Sequence, residues 1–142
     1  METVDRRFES IGMWANMGAR LTAIGPETAV VEATLTEARH GFPTGRGVIV
    51  HGGALAALAD MALAAAAAGS ARRGETTPTV DLKVDFLRAT TPGHLIARAT
   101  VTRRTRRLCF AAATIEQADG TVVVEARAVL AVVPDTAATA SG

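Results

Sequence analysis

One cysteine, one lysine and 4% aromatic residues in a chain of 142 leave several kinds of protein out from the start. A lone cysteine, Cys109, excludes an internal disulfide and any cysteine-based metal cluster within one chain. It sits in the apolar run "RLCFAAATIEQ", where a packed thiol is the expected role and a nucleophile the lesser alternative. Charge of either sign is not in excess: the net charge of +1 gives no overall field to draw the protein onto nucleic acid or a membrane. The N-terminus, "METVDRRFES", lacks the apolar core of a secretion signal. Residues 54–68 are apolar apart from Asp60, but a run of 15 is short for spanning a bilayer. A cytoplasmic enzyme or binding protein fits these absences. Arginine outnumbers lysine by fourteen to one and alanine is abundant, both of which drift in the coding DNA accounts for.

What is present reads as one domain over residues 1–133, followed by a disordered tail, 134–142, that opens on a strand-breaking proline. Residues 8–19 suggest a short helix with Phe8, Ile11 and Met13 or Trp14 inward. Residues 28–37, rich in β-branched side chains, read as a strand, and "ARHGFPTGRG" after them as loop. Alanine and leucine then make residues 53–69 a helix. Gly69 or Gly74 is placed to stop it, and Arg72 and Arg73 to face its negative end. From residue 79 the apolar period becomes twofold: Val80, Leu82, Val84 and Phe86 alternate with polar neighbours, and three more strands follow. "ADG" marks a tight hairpin before the last of them. Strand, long helix, then a meander of four strands predicts an α+β fold with one antiparallel sheet. A helix apolar on every side needs cover on every side, so a partner subunit is expected where the sheet does not reach.

That helix carries one carboxylate. At about 100° per residue, Leu55, Leu58, Ala59, Ala62 and Leu63 share one arc, which suits the sheet. Asp60 lies on the other side with Gly53, Ala56, Ala57, Ala64 and Ala67, all small. Such a carboxylate has room beside it for a substrate. Burial there would raise its pKa toward the range of a general base. The alternatives are that this side faces water, or that Asp60 makes a structural hydrogen bond. Before it, "HGG" places two glycine N–H groups at a helix N-terminus, suited to an anion or a developing oxyanion. His51 taken alone is more often a hydrogen-bonded structural histidine.

The segments "HGGALAALAD", "PTVDLKVDFLR", "TRRTRRLCFAAATI" and "DGTVVVEARAVLAVV", in this order and spacing over residues 45–133, resemble hotdog-fold acyl-CoA thioesterases of the phenylacetate-degradation (PaaI-like) type. The resemblance implies a helix wrapped by an antiparallel sheet. It also implies a homodimer with its active sites at the interface, often paired into a homotetramer. By position, Asp60 matches the catalytic carboxylate, acting as base toward water or as nucleophile. The Gly52 N–H matches the group that polarises the thioester carbonyl, with His51 shaping the turn and Gly53 beside it. Thr79 matches the residue that positions water, across the dimer; read without the resemblance, it is an ordinary strand threonine. The family often has an asparagine six residues before the histidine, and here that position is Gly45. Coenzyme A is substrate on this reading, and neither a metal nor a redox cofactor is implied.

The run Arg103, Arg104, Arg106 and Arg107 is by itself a solvated turn or a basic patch. No aromatic platform or nucleic-acid motif accompanies it. The resemblance makes coenzyme A phosphates the better partner, with Arg106 and Arg107 as the contacts, since guanidinium pairs with phosphate. His40, His51 and His94 are scattered, with no ligand spacing for a metal. Ser10, Ser70 and Ser141 lack a nucleophile-elbow context. Two other readings stand beside hydrolysis: an enoyl-thioester hydratase or dehydratase of the same fold, and a non-catalytic acyl-CoA binder, which Gly45 permits.

Overall fold

The computed structural model describes residues 6–135. A 3₁₀ turn, Arg6–Ser10, leads into helix α1 (Gly12–Met17), which stops at Gly18 in the left-handed conformation, φ 62°. Strands β1 (Arg20–Ile24) and β2 (Thr28–Leu35) follow, then a helical turn α2 (Glu37–His40) and a hairpin of β3 (Gly41–Thr44) and β4 (Gly47–Val50). Next comes the long helix α3 (Gly52–Ser70). After it run β5 (Glu75–Thr76), β6 (Thr79–Phe86), β7 (Gly93–Arg104), β8 (Leu108–Gln117), β9 (Val122–Ala131) and β10 (Val133–Pro134).

The architecture is the expected α+β one: a six-stranded antiparallel sheet, in the order β1-β2-β7-β8-β9-β6, wraps α3. The leucine arc faces it as anticipated, with Leu55, Leu58, Ala59, Ala62 and Leu63 all at most 3% exposed. Ala97, Ala99, Ala111, Ala113, Ala126 and Ala128 point inward from the central strands. Small residues on both layers let helix and sheet approach closely, which gives the alanine-rich composition a packing role. Cys109 is fully buried, with its Sγ 4.0 Å from the Ser70 hydroxyl, and burial pushes its thiol pKa up. A packed thiol is therefore what the fold uses.

Several local expectations change. Residues 8–19 break at Ile11, whose extended backbone (ψ 132°) separates the 3₁₀ turn from α1. Trp14 and Met17 turn inward, Phe8 stacks on Trp14 at 5.4 Å, and Ile11 and Met13 stay about half exposed. The strand expected over 28–37 ends at Leu35, because the Thr36 hydroxyl accepts the Arg39 N–H and starts α2. The expected loop from residue 38 holds the β3–β4 hairpin, and β1 is a strand the sequence reading left out. The four last strands are not a simple meander: β6 pairs with β9 while β7 takes β2 and β8. The inward-facing residues of β7 need covered neighbours on both flanks. The charges of β6, Asp81, Lys83 and Asp85, suit a sheet edge.

Helix α3 runs to Ser70, so Gly69 lies inside it, where a Cβ would meet the Gly25 carbonyl oxygen at 2.6 Å. The role foreseen for Arg72 and Arg73 falls to Arg104 from β7, whose Nη1 donates to the Ser70 carbonyl at 2.8 Å. Its Nη2 donates to Glu75 Oε1 at 2.8 Å, and the Arg72 N–H donates to the same oxygen at 2.7 Å. The Arg72 amide first, then the Arg104 guanidinium, hold the Glu75 pKa below its ordinary value of 4.5. A carboxylate depressed in the folded state adds stability that is present above the unfolded pKa and is lost as pH falls through the folded one. Glu75→Gln is thus expected to flatten the acid limb of stability below about pH 4.5, read by denaturant unfolding at stepped pH. Beyond this, Pro134 sits in β10, paired with Glu75, and the Asp135 N–H donates to the Gly74 carbonyl at 2.7 Å. The remainder of the expected disordered tail, residues 136–142, lies outside the described residues.

Candidate active site

The chain enters α3 through His51, which caps the helix with its own ring. Nδ1 accepts the Gly53 N–H at 2.8 Å, so the ring proton of the neutral form belongs on Nε2. The backbone N–H groups of Ala54 and Leu55 both donate to the His51 carbonyl, at 3.0 and 3.3 Å. Among the first amides of the helix this leaves Gly52 without a partner among the described residues. Of the two glycine amides offered by "HGG", one is therefore occupied and one is free. Gly53 serves the cap: a Cβ on it would stand 3.0 Å from His51 Nδ1. At Gly52 a Cβ would lie 3.4 Å from the ring of Phe86, which flanks the free amide from β6.

Asp60 lies about two turns further along α3, half-buried rather than enclosed. Its Oδ1 accepts the Thr79 hydroxyl at 2.8 Å, a bond from β6 to α3 within one chain. Eight residues separate Gly52 from Asp60, roughly 12 Å along the axis at 1.5 Å per residue. An oxygen hydrogen-bonded to the Gly52 N–H is therefore out of reach of the same chain's Asp60. Val80, Phe86 and Leu87, beside this surface on the edge strand and just after it, are 65%, 52% and 48% exposed.

A cleft of about 600 Å³ opens beside the α3 N-terminus, between α1, the α2–β3 turn and the helix. Gly53, Ala54 and Ala57 form its floor, and His51 and His40 both line it. Two histidines that look scattered in sequence thus share one cavity, since the His51 N–H donates to the His40 carbonyl at 2.7 Å. Asn16 and Arg39 line it as well, and neither stands out in the sequence because the short helix and the loop that hold them carry no site motif. His94 lies elsewhere, with Nε2 2.8 Å from Glu32 Oε1 on the outer face of the sheet. Among the described residues no three His, Cys, Asp or Glu side chains gather in a metal-ligating group.

Other expected site residues are not brought here. Gly45 is exposed in the tight turn of the β3–β4 hairpin and is absent from the cleft lining. Arg106 and Arg107 are exposed in the β7–β8 turn, beyond the C-terminal end of α3, roughly 27 Å along the helix from Gly52. Arg106 borders a separate 420 Å³ cleft there with Arg72 and the paired Arg104.

An antiparallel sheet closed round one long apolar helix, with a free amide at the helix start and a carboxylate on its outer side, defines a hotdog fold of the thioesterase kind. The chain belongs to the thioesterase superfamily, whose family profile matches residues 47–124. A thioesterase from Haemophilus influenzae is similar over 94% of both chains, with TM-score 0.84 and 22% identity. A phenylacetic acid degradation-related protein from Ralstonia eutropha is 28% identical over 82% of this chain and 86% of its own, with TM-score 0.73. A thioesterase family protein from Silicibacter pomeroyi is 25% identical over 89% and 93%, with TM-score 0.79. No curated protein matches the chain. Length and composition would let α3 cross a membrane, yet half of its most apolar window is buried against the sheet.

Proposed function

We propose that the protein hydrolyses an acyl-CoA or aryl-acyl-CoA thioester to a free acid and coenzyme A, as a homodimer whose sites lie between subunits. The observation that carries this reading is the free Gly52 N–H at the start of α3, followed along the same helix by the Asp60–Thr79 pair. The Gly52 N–H, at the positive end of the helix, receives the thioester carbonyl oxygen and stabilises the oxyanion. Asp60 acts on the carbonyl carbon, either through a water it deprotonates or by direct attack, and Thr79 fixes its carboxylate. His51 holds the turn that presents the amide, and Gly53 makes room for the cap. Arg106 and Arg107 meet coenzyme A phosphates. No metal or redox cofactor enters this chemistry.

The axial gap of roughly 12 Å gives the dimer a mechanistic reason. Two α3 helices lying antiparallel would set the Gly52 of one subunit opposite the Asp60 of the other, so each site would draw on both chains. The exposed apolar side chains Val80, Phe86 and Leu87 support a partner at this surface, and pairing of dimers into a homotetramer remains compatible with it.

The test is release of free thiol from a panel of aryl- and alkyl-acyl-CoAs. The reading expects turnover of at least one of them above the buffer rate. Binding without thiol release would instead favour a non-catalytic acyl-CoA binder, and hydration of crotonyl-CoA without release would favour the hydratase.

A further inference from the structure

The cleft beside the α3 N-terminus is lined by polar side chains that include cationic and N–H donor groups but no carboxylate. Its floor and one wall are apolar: Ala54 and Ala57 from α3, Met13 and Met17 from α1. The polar side chains that line it are Asn16, Arg39, His40 and His51, and no carboxylate is among them. His40 is only 8% exposed, and its Nδ1 accepts the Thr36 N–H at 3.0 Å, which puts the proton of the neutral ring on Nε2. That Nε2 has no hydrogen-bond partner among the described residues, and His40 lines the cleft. His51 has the same arrangement, with Nδ1 held by an amide and Nε2 left as donor. Arg39 forms no ion pair with any described residue. Two histidines, an arginine and an asparagine thus line one otherwise apolar cleft.

We infer that this cleft receives the acyl group of the substrate and selects one that carries a carboxylate at its far end. This rests on the thioester reading given above, because the cleft adjoins Gly52, where that reading places the carbonyl. The methionines and alanines accommodate the methylenes, and the four donors meet the distal carboxylate, with Arg39 supplying the balancing charge. Coenzyme A phosphates are another source of anionic oxygen. They would meet a wall of methionine here, whereas exposed arginines stand at the other end of α3.

The experiment compares glutaryl and valeryl thioesters, matched in length and differing in the terminal carboxylate, each as the coenzyme A and the N-acetylcysteamine ester. The wild-type protein is expected to favour glutaryl in kcat/KM by about tenfold or more with both leaving groups, the scale of a hydrogen bond to a charged group. Arg39→Met is expected to abolish most of that ratio, and Arg39→Lys, which keeps the charge, to restore part of it. Circular dichroism of both variants checks that the exposed substitution leaves the fold intact. Equal rates on glutaryl and valeryl, or a preference that survives Arg39→Met, would overturn the inference while leaving thioester hydrolysis standing. Loss confined to the coenzyme A esters, whatever the acyl group, would also overturn it and assign the cleft to a phosphate. If no thioester is hydrolysed, the functional reading fails first and the inference falls with it.

Discussion

Asp60→Asn is expected to lower thioester hydrolysis by about 10²–10⁴-fold, the scale of a positioned acid–base group, with KM changed little. Asparagine keeps the size of the side chain and an oxygen for the Thr79 hydroxyl, which donates to Oδ1 at 2.8 Å. Packing and the bond to β6 are therefore retained. What is lost is the negative charge that takes a proton from water or attacks the carbonyl. Steady-state thiol release on the best acyl-CoA of the panel, with thermal unfolding as the control for fold, measures both sides of this. Undiminished release in a folded variant would remove Asp60 from the chemistry.

Gly52→Pro is expected to cost about 10²–10³-fold in kcat, because it removes one preorganised donor to the oxyanion. Proline is well suited to this position on structural grounds. It stands at the first residue of α3, where proline is tolerated and its missing N–H breaks no intrahelical bond. The residue before it, His51, already has the extended backbone that a following proline requires, φ −60° and ψ 134°. The cap survives too, since it uses the Gly53 N–H. The one close neighbour is the Phe86 ring, 3.4 Å from where a Cβ would stand. A fall in kcat with unfolding unchanged separates loss of the donor from loss of the fold; an unchanged kcat would place the carbonyl elsewhere.

Asp60 stands out in the sequence because it is the one charge in an apolar helix, and the leucine arc is legible because helical period alone assigns it. The packing of α3 follows from these. Less could be read where the outcome depends on a distant partner. No local pattern tells β6 to pair with β9 across the sheet, and nothing in "TRRTRR" says that Arg104 closes α3 while Arg106 stays in solvent. The difference between Gly52 and Gly53 turns on where the His51 ring lies, a choice of side-chain torsion that spacing does not contain. Asn16, Arg39 and His40 come from segments read as short helix and loop, and only the fold brings them to one cleft. The helix wheel puts Gly53 on the side of Asp60 and Gly52 about 80° round from it. Rise per residue shows that Gly52 and Asp60 are too far apart to serve one carbonyl in one chain.

Mixing two inactive variants tests that division of the site most directly. Asp60→Asn and Gly52→Pro chains are unfolded together, refolded as a mixture and assayed for thiol release. If each site takes Gly52 from one subunit and Asp60 from the other, a mixed dimer has one intact site and one doubly damaged one. Random pairing then restores about a quarter of wild-type activity, as two-fold symmetry requires. A mixture as inactive as its parents, with mixed dimers demonstrated by mass, would contradict a site shared between subunits.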